Sequence, residues 1–157
     1  MLVAAAVVPS TPLLIPSVAS GAAHELDELR VGCGNAIGVV LASNPDVLVV
    51  VGGGDSDATY QAGAVGTLHP YGVDIEVVLP GTNNQVVLPA AQQPRSSMPL
   101  SLMVGSWLIG RDGWQGRAIG QSIAFATDSV AAARMGVDCA QAAPRVAMVV
   151  VGDARTA

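Results

Sequence analysis

The 157-residue chain contains no lysine, and its seven basic residues are all Arg, spread over positions 30, 95, 111, 117, 134, 145 and 155. With a net charge of −5 and no basic cluster, it lacks the electrostatic footprint that neutralises a phosphate backbone. Nucleic acid is therefore not an expected partner. A Walker-type phosphate loop is excluded on the same ground, because it needs a lysine. Aromatics are scarce, at one Phe, two Tyr and two Trp, which leaves little surface for stacking rings or bases. Cysteine is limited to Cys33 and Cys139, far apart and in no metal-type spacing. That excludes a disulfide-rich secreted scaffold and suits two small buried hydrophobes in a reducing, cytoplasmic setting. No apolar run reaches the roughly 18 residues of a membrane span.

What the chain does contain is apolar. Hydrophobic residues make up 51% and charged residues only 12%, with mean hydropathy +0.51. This composition excludes a disordered chain, and the length suits one domain. The first eight residues lack a basic start, and Pro9, Pro12 and Pro16 follow closely. They read as a strand buried on both faces, not as a signal segment.

Strand and helix patterns alternate from there. Leu26, Leu29, Cys33, Ile37 and Val40 recur at helical spacing, with Ser20 placed as the cap and Glu25, Asp27 and Glu28 near the positive end. Asn44-Pro45 ends that helix. Residues 46–51 form the clearest strand, and a polar, Gly-rich stretch then runs to Gly72. A third strand is expected over 73–79, and an ordered loop or lid over 80–98. Pro99 suits the first turn of a helix to about Ile109. Alternation at Ile119, Gln121, Ile123 and Phe125 predicts a strand. Asp128 is placed to cap an Ala-rich helix to about Ala140, and residues 145–151 make a last apolar strand. The order β-α-β-β-α-β-α-β predicts an α/β sandwich with a mainly parallel, mixed central sheet flanked by helices. In such sheets ligands bind beyond the carboxyl ends of the strands. The loops 9–17, 52–60 and 152–155 are expected to meet there.

Chemistry-bearing residues are few. Gly52-Gly53-Gly54-Asp55-Ser56-Asp57 after a strand suggests a backbone anion cradle, but its two carboxylates oppose a phosphate. Asp55 and Asp57 are candidate ligands for a hard divalent cation, Asp55 being the one that the metal reading keeps, and the simpler reading is a turn whose Asp side chains bond local backbone. His24 falls in the first turn of the long helix. His69 precedes Pro70 in a loop and is a candidate to line the site. A metal centre using both would need them to converge. There is no G-x-S-x-G elbow, and neither cysteine has an adjacent His. Gly105-Ser106-Trp107 reads as helix packing, with Trp107 and Trp114 anchoring that helix to the sheet.

The run Val8-Pro9-Ser10-Thr11-Pro12-Leu13-Leu14-Ile15-Pro16 resembles the V-P-H-P-P-L-L-(I/V)-P opening of the class III extradiol ring-cleavage dioxygenase superfamily, catalytic-subunit type. It is most similar to the short, Ala-rich actinobacterial members. The resemblance continues at Pro45–Gly52, Tyr71-Gly72-Val73-Asp74, Met98–Leu102 and Val149–Asp153, and so spans nearly the whole chain. It implies an α/β sandwich around a mixed sheet. It also implies Fe(II) held by two His and one Glu, a further His as acid/base, and a catechol-type substrate beside O₂ on open iron positions. Carried over by position, the first ligand His falls on Ser10 and the second on Gly54 or Asp55. The acid/base His falls near Thr156, and the Glu lies past residue 157. By that resemblance the domain over 1–157 is C-terminally incomplete, with a last strand left uncovered.

Three readings follow. The first is a catalytically degenerate dioxygenase-like domain without a cofactor, binding a small molecule through Ser10, Thr11, Asp55, Ser56, His69 and Asp153. The second is an active ring-cleaving enzyme with an altered Fe(II) centre built from Asp55, His69 and Asp153. The third is a structural homodimer that buries a sheet face.

Overall fold

The apolar runs of the sequence pair with one another. The computed structural model describes residues 1–81 and 97–152. The strands are β1 (Leu2–Val8), β2 (Val47–Gly54), β3 (Ala58–Tyr60), β4 (Val65–Thr67), β5 (Glu76–Val78), β6 (Arg117–Ala124) and β7 (Val146–Val151). The helices are α1 (Pro16–Ala19), α2 (Asp27–Ala42), α3 (Leu100–Arg111) and α4 (Ser129–Ala140). Five strands form one sheet in the order β1-β7-β2-β6-β3, all parallel except β3, and β4 pairs with β5 in a separate antiparallel ribbon. This is the expected α/β architecture with a mainly parallel sheet.

Period-two alternation divides the sheet into two faces. Leu48 and Val50 look into the larger core with Ile37, Leu102, Leu108 and Val149, beneath α2 and α3. Val47, Val49, Ile119, Val146 and Met148 make a smaller cluster on the opposite face, against Cys139 and Ala140 at the end of α4. The described helices are therefore unevenly shared between the faces, α2 and α3 on one side and α4 on the other.

Several expectations need correction. β1 is an edge strand paired only with β7. It is not buried on both faces, and Val7 is 73% exposed on the α4 side. The last strand is not uncovered. β7 lies between β1 and β2, its residues buried apart from half-buried Val150. Ser20 does not cap the long helix. It has φ 49° and opens a 3₁₀ segment, Ser20–Leu26, so α2 begins at Asp27 without a side-chain cap. Only Glu76–Val78 of the third expected strand forms, and it joins the ribbon instead of the main sheet. The expected lid over 80–98 falls mostly outside the described residues.

Other local signals hold. Asp128 Oδ1 accepts from the Ala131 amide at 2.8 Å and caps α4. Pro99 stands at the N-cap of α3, which runs two residues further than expected. Trp107 and Trp114 pack against the larger core, and the Arg111 guanidinium lies over the Trp107 ring at 5.5 Å. Among the described residues no helix is long and apolar enough to cross a membrane.

Candidate functional site

The carboxyl ends of β1, β7 and β2 come together as the parallel topology requires, and the Gly152 amide donates to the Val8 carbonyl at 3.0 Å. The glycine run, however, is strand and not a loop. Gly52, Gly53 and Gly54 continue β2 opposite Ser122, Ile123 and Ala124 of β6, so this backbone forms neither the anion cradle that the motif suggested nor the turn that was the simpler reading. The glycines serve packing. A Cβ on Gly52 would stand 2.4 Å from Ser101 Oγ, and one on Gly54 would stand 3.1 Å from Ser122 Cβ and 3.4 Å from Pro99. Their bare backbone lets the start of α3 seat on the strand end, where Ser101 Oγ donates to the Gly53 carbonyl at 2.6 Å.

The turn after β2 is tied down by its second aspartate. Asp57 Oδ1 accepts from the Ala124 amide at 2.7 Å and from Thr127 Oγ1 at 2.8 Å. These two hydrogen bonds hold its carboxyl below the usual aspartate value, the amide bond having the larger effect. Ser122 Oγ donates to the Ser56 carbonyl at 2.7 Å, so Ser56 contributes backbone to the latch. Asp55 is exposed at the tip. The ring of Phe125 lies 3.3 Å from the position of a Cβ on Gly53 and is 86% exposed. Asp55, two residues past Gly53, and the ring over Gly53 thus offer an exposed carboxylate and an exposed aromatic at this end of the sheet. Nothing in the alternating pattern distinguished Phe125 from an inward residue, because the pattern stops where β6 ends.

The Pro-rich segment that holds Ser10 and Thr11 is organised by a residue that sequence reasoning missed. Thr11 Oγ1 accepts from the Leu13 amide at 3.3 Å and caps a 3₁₀ turn, Pro12–Leu14. Arg30 then clamps that segment onto α2. Its guanidinium, on a residue only 8% exposed, donates to the carbonyls of Leu14 at 2.7 Å, Leu13 at 3.2 Å and Ala23 at 2.6 Å, and to Asp27 at 2.8 Å. The only available signal was an arginine at a core-facing position of α2.

The histidines play local parts. His24 is exposed in the 3₁₀ segment before α2, with Asp27 at 3.4 Å. His69 caps the end of the ribbon, its Nδ1 3.0 Å from Thr67 Oγ1 and its Nε2 3.3 Å from Asp74. Asp153 lies outside the described residues. Among the described residues no group of three or more His, Cys, Asp or Glu side chains stands close enough to hold a metal ion. Burial pushes both thiols up, Cys33 in the core and Cys139 against α4's own cluster, the reverse of an activated nucleophile. Among the described residues, Ser106 Oγ has no hydrogen-bond partner and so no base beside it. Among the described residues, a hollow of about 420 Å³ lies along the outer face of α4 and another of about 330 Å³ between β3 and α4. Neither is lined by Ser10, Thr11, Asp55, Ser56 or His69. No protein-family model matches the chain, and no curated protein matches it.

Proposed function

We propose that the chain is a class III extradiol dioxygenase-like domain that has lost ring cleavage and binds a small molecule at the carboxyl ends of its strands. The observation that carries the reading is the fate of the second iron-ligand position. One of its two candidates, Gly54, is a buried strand residue packed on Pro99 and Ser122, with no ligating side chain. The other, Asp55, is an exposed carboxylate at the turn tip. The first position is Ser10, a weak neutral ligand in place of an imidazole. This donor set does not fit an Fe(II) centre of two His and one carboxylate. His69 is already engaged with Thr67 and Asp74 on the ribbon, which further disfavours an altered centre built from Asp55, His69 and Asp153. What supports ligand binding is the open end of a parallel sheet, which carries the exposed Phe125 ring over Gly53 and the exposed Asp55 two residues further on. Two unpaired thiols suit a cytoplasmic setting.

The test is oxygen uptake and Fe(II) binding by the purified protein with catechol or protocatechuate. The expected result is no stoichiometric iron and no uptake above buffer. With the same compounds, amide shifts in NMR should centre on Gly53, Asp55 and Phe125. Oxygen consumption that disappears in Asp55→Ala would overturn the degenerate reading in favour of an enzyme with a changed metal site.

A further inference from the structure

The α4 side of the molecule carries two adjoining apolar surfaces that the described residues leave open. The first is the upper sheet. Register places Val7 of β1 beside Val150 of β7 and Val51 of β2 on that face, and Gly53 beside Ile123 one step higher. α4 covers the lower rows through Val47, Val49 and Met148, but Val7 is exposed and Val150, Val51 and Ile123 are only half-buried. The second surface is the outer side of α4 itself. Met135 and Cys139 face the sheet, so helical spacing turns Val130, Ala133 and Val137 the opposite way. Val130 is 62% and Val137 55% exposed, and together they floor the larger hollow. An amphipathic helix normally turns such a stripe inward.

The charges on this helix select the occupant. Arg134 and Asp138 flank the stripe, both exposed, one turn apart. Among the described residues neither has an ion-pair partner. With the cation N-terminal to the anion, they stand in the less favourable order for pairing within one helix. Across a two-fold axis with the helices antiparallel, the same two residues match reciprocally, Arg134 of each copy facing Asp138 of the other. A self-complementary pattern is what an isologous interface requires. A lone helix stripe falls short of the roughly 800 Å² per partner of a standard interface, and the open sheet rows on the same side extend it.

We propose that the outer face of α4 and the uncovered upper sheet beside it form the contact surface of a symmetric homodimer, registered by reciprocal Arg134–Asp138 pairs. This does not depend on what binds at the strand ends. Sedimentation equilibrium tests it. The native chain should dimerise at tens of micromolar, and Arg134→Asp and Asp138→Arg should each weaken the dimer about tenfold or more by setting like charges opposite. Both positions are exposed, so circular dichroism should be unchanged. The double variant R134D/D138R should recover the native dimer constant, and an equimolar mixture of the two single variants should associate where each alone does not. Val137→Asp should abolish association. A native chain that is monomeric at about 100 µM overturns the proposal, as does a dimer indifferent to these charge reversals.

Discussion

A buried guanidinium is tolerated where its donors find acceptors, and four of the five N–H donors of Arg30 reach three carbonyls and one carboxylate. Arg30→Met keeps the stem but leaves those carbonyls unpaired, so we expect a loss of about 2–4 kcal/mol, read as a fall in Tm of roughly 5–15 °C. Asp57 acts differently, as an exposed latch whose charge is stabilised by the Ala124 amide and the Thr127 hydroxyl. Because its folded carboxyl titrates below its unfolded one, its contribution is present above the usual aspartate range and fades as pH falls through and below that range. Asp57→Asn should therefore unfold more easily than the native chain at neutral pH, with the difference closing in acid, as followed by thermal melts across pH. Neither role was legible in the sequence. Asp55 and Asp57 are chemically alike and two residues apart, and only the pairing of β2 with β6 decides which one reaches Ala124. Arg30 stood out merely as one scattered charge. Thr11 was singled out as a ligand contact and is a turn cap.

At the level of elements, the value of a glycine depends on what its missing side chain would meet. Gly105 in α3 faces the sheet, where a Cβ would come within 2.4 Å of Val50 and 2.7 Å of Val151. Gly38 in α2 has nothing within 4 Å. Helix propensity alone would make both Ala substitutions favourable by about 1 kcal/mol. We expect that gain only for Gly38→Ala, whereas Gly105→Ala should lose about 1–3 kcal/mol through overpacking. Denaturant midpoints of the two variants check the opposite signs. The same distinction explains which elements the sequence revealed. β1, β7, α4 and its Asp128 cap are written in continuous apolar runs or local capping chemistry, and they form where expected. Gly52–Gly54 looked like a loop because glycine disfavours strands, yet the close approach of Ser101 requires it there. β3 and β4 are three residues each in a Gly-, Ala- and Thr-containing stretch, too short to show a period, and exist through their partners β6 and β5.

Over the whole molecule, stability is distributed unevenly. β7 and β2 are buried along most of their length, with Val150, Val51 and Gly53 only half-buried, whereas α4 has no buried residue. Native-state hydrogen exchange should accordingly show β2 and β7 amides protected close to the global unfolding free energy, and α4 opening at lower cost. The central place of β7 has a further consequence, for biosynthesis. Among the described strands it is translated last, yet it is the one that joins β1 to β2. A nascent chain emerging from the ribosome can assemble β2 with β6 while β1 waits, tethered through α2, beside a slot with no occupant. Until residues 146–151 emerge, two apolar edges stand ready to accept a strand from a neighbouring chain. Residues 146–151 are thus the piece that completes the sheet, placed between two strands made well before them.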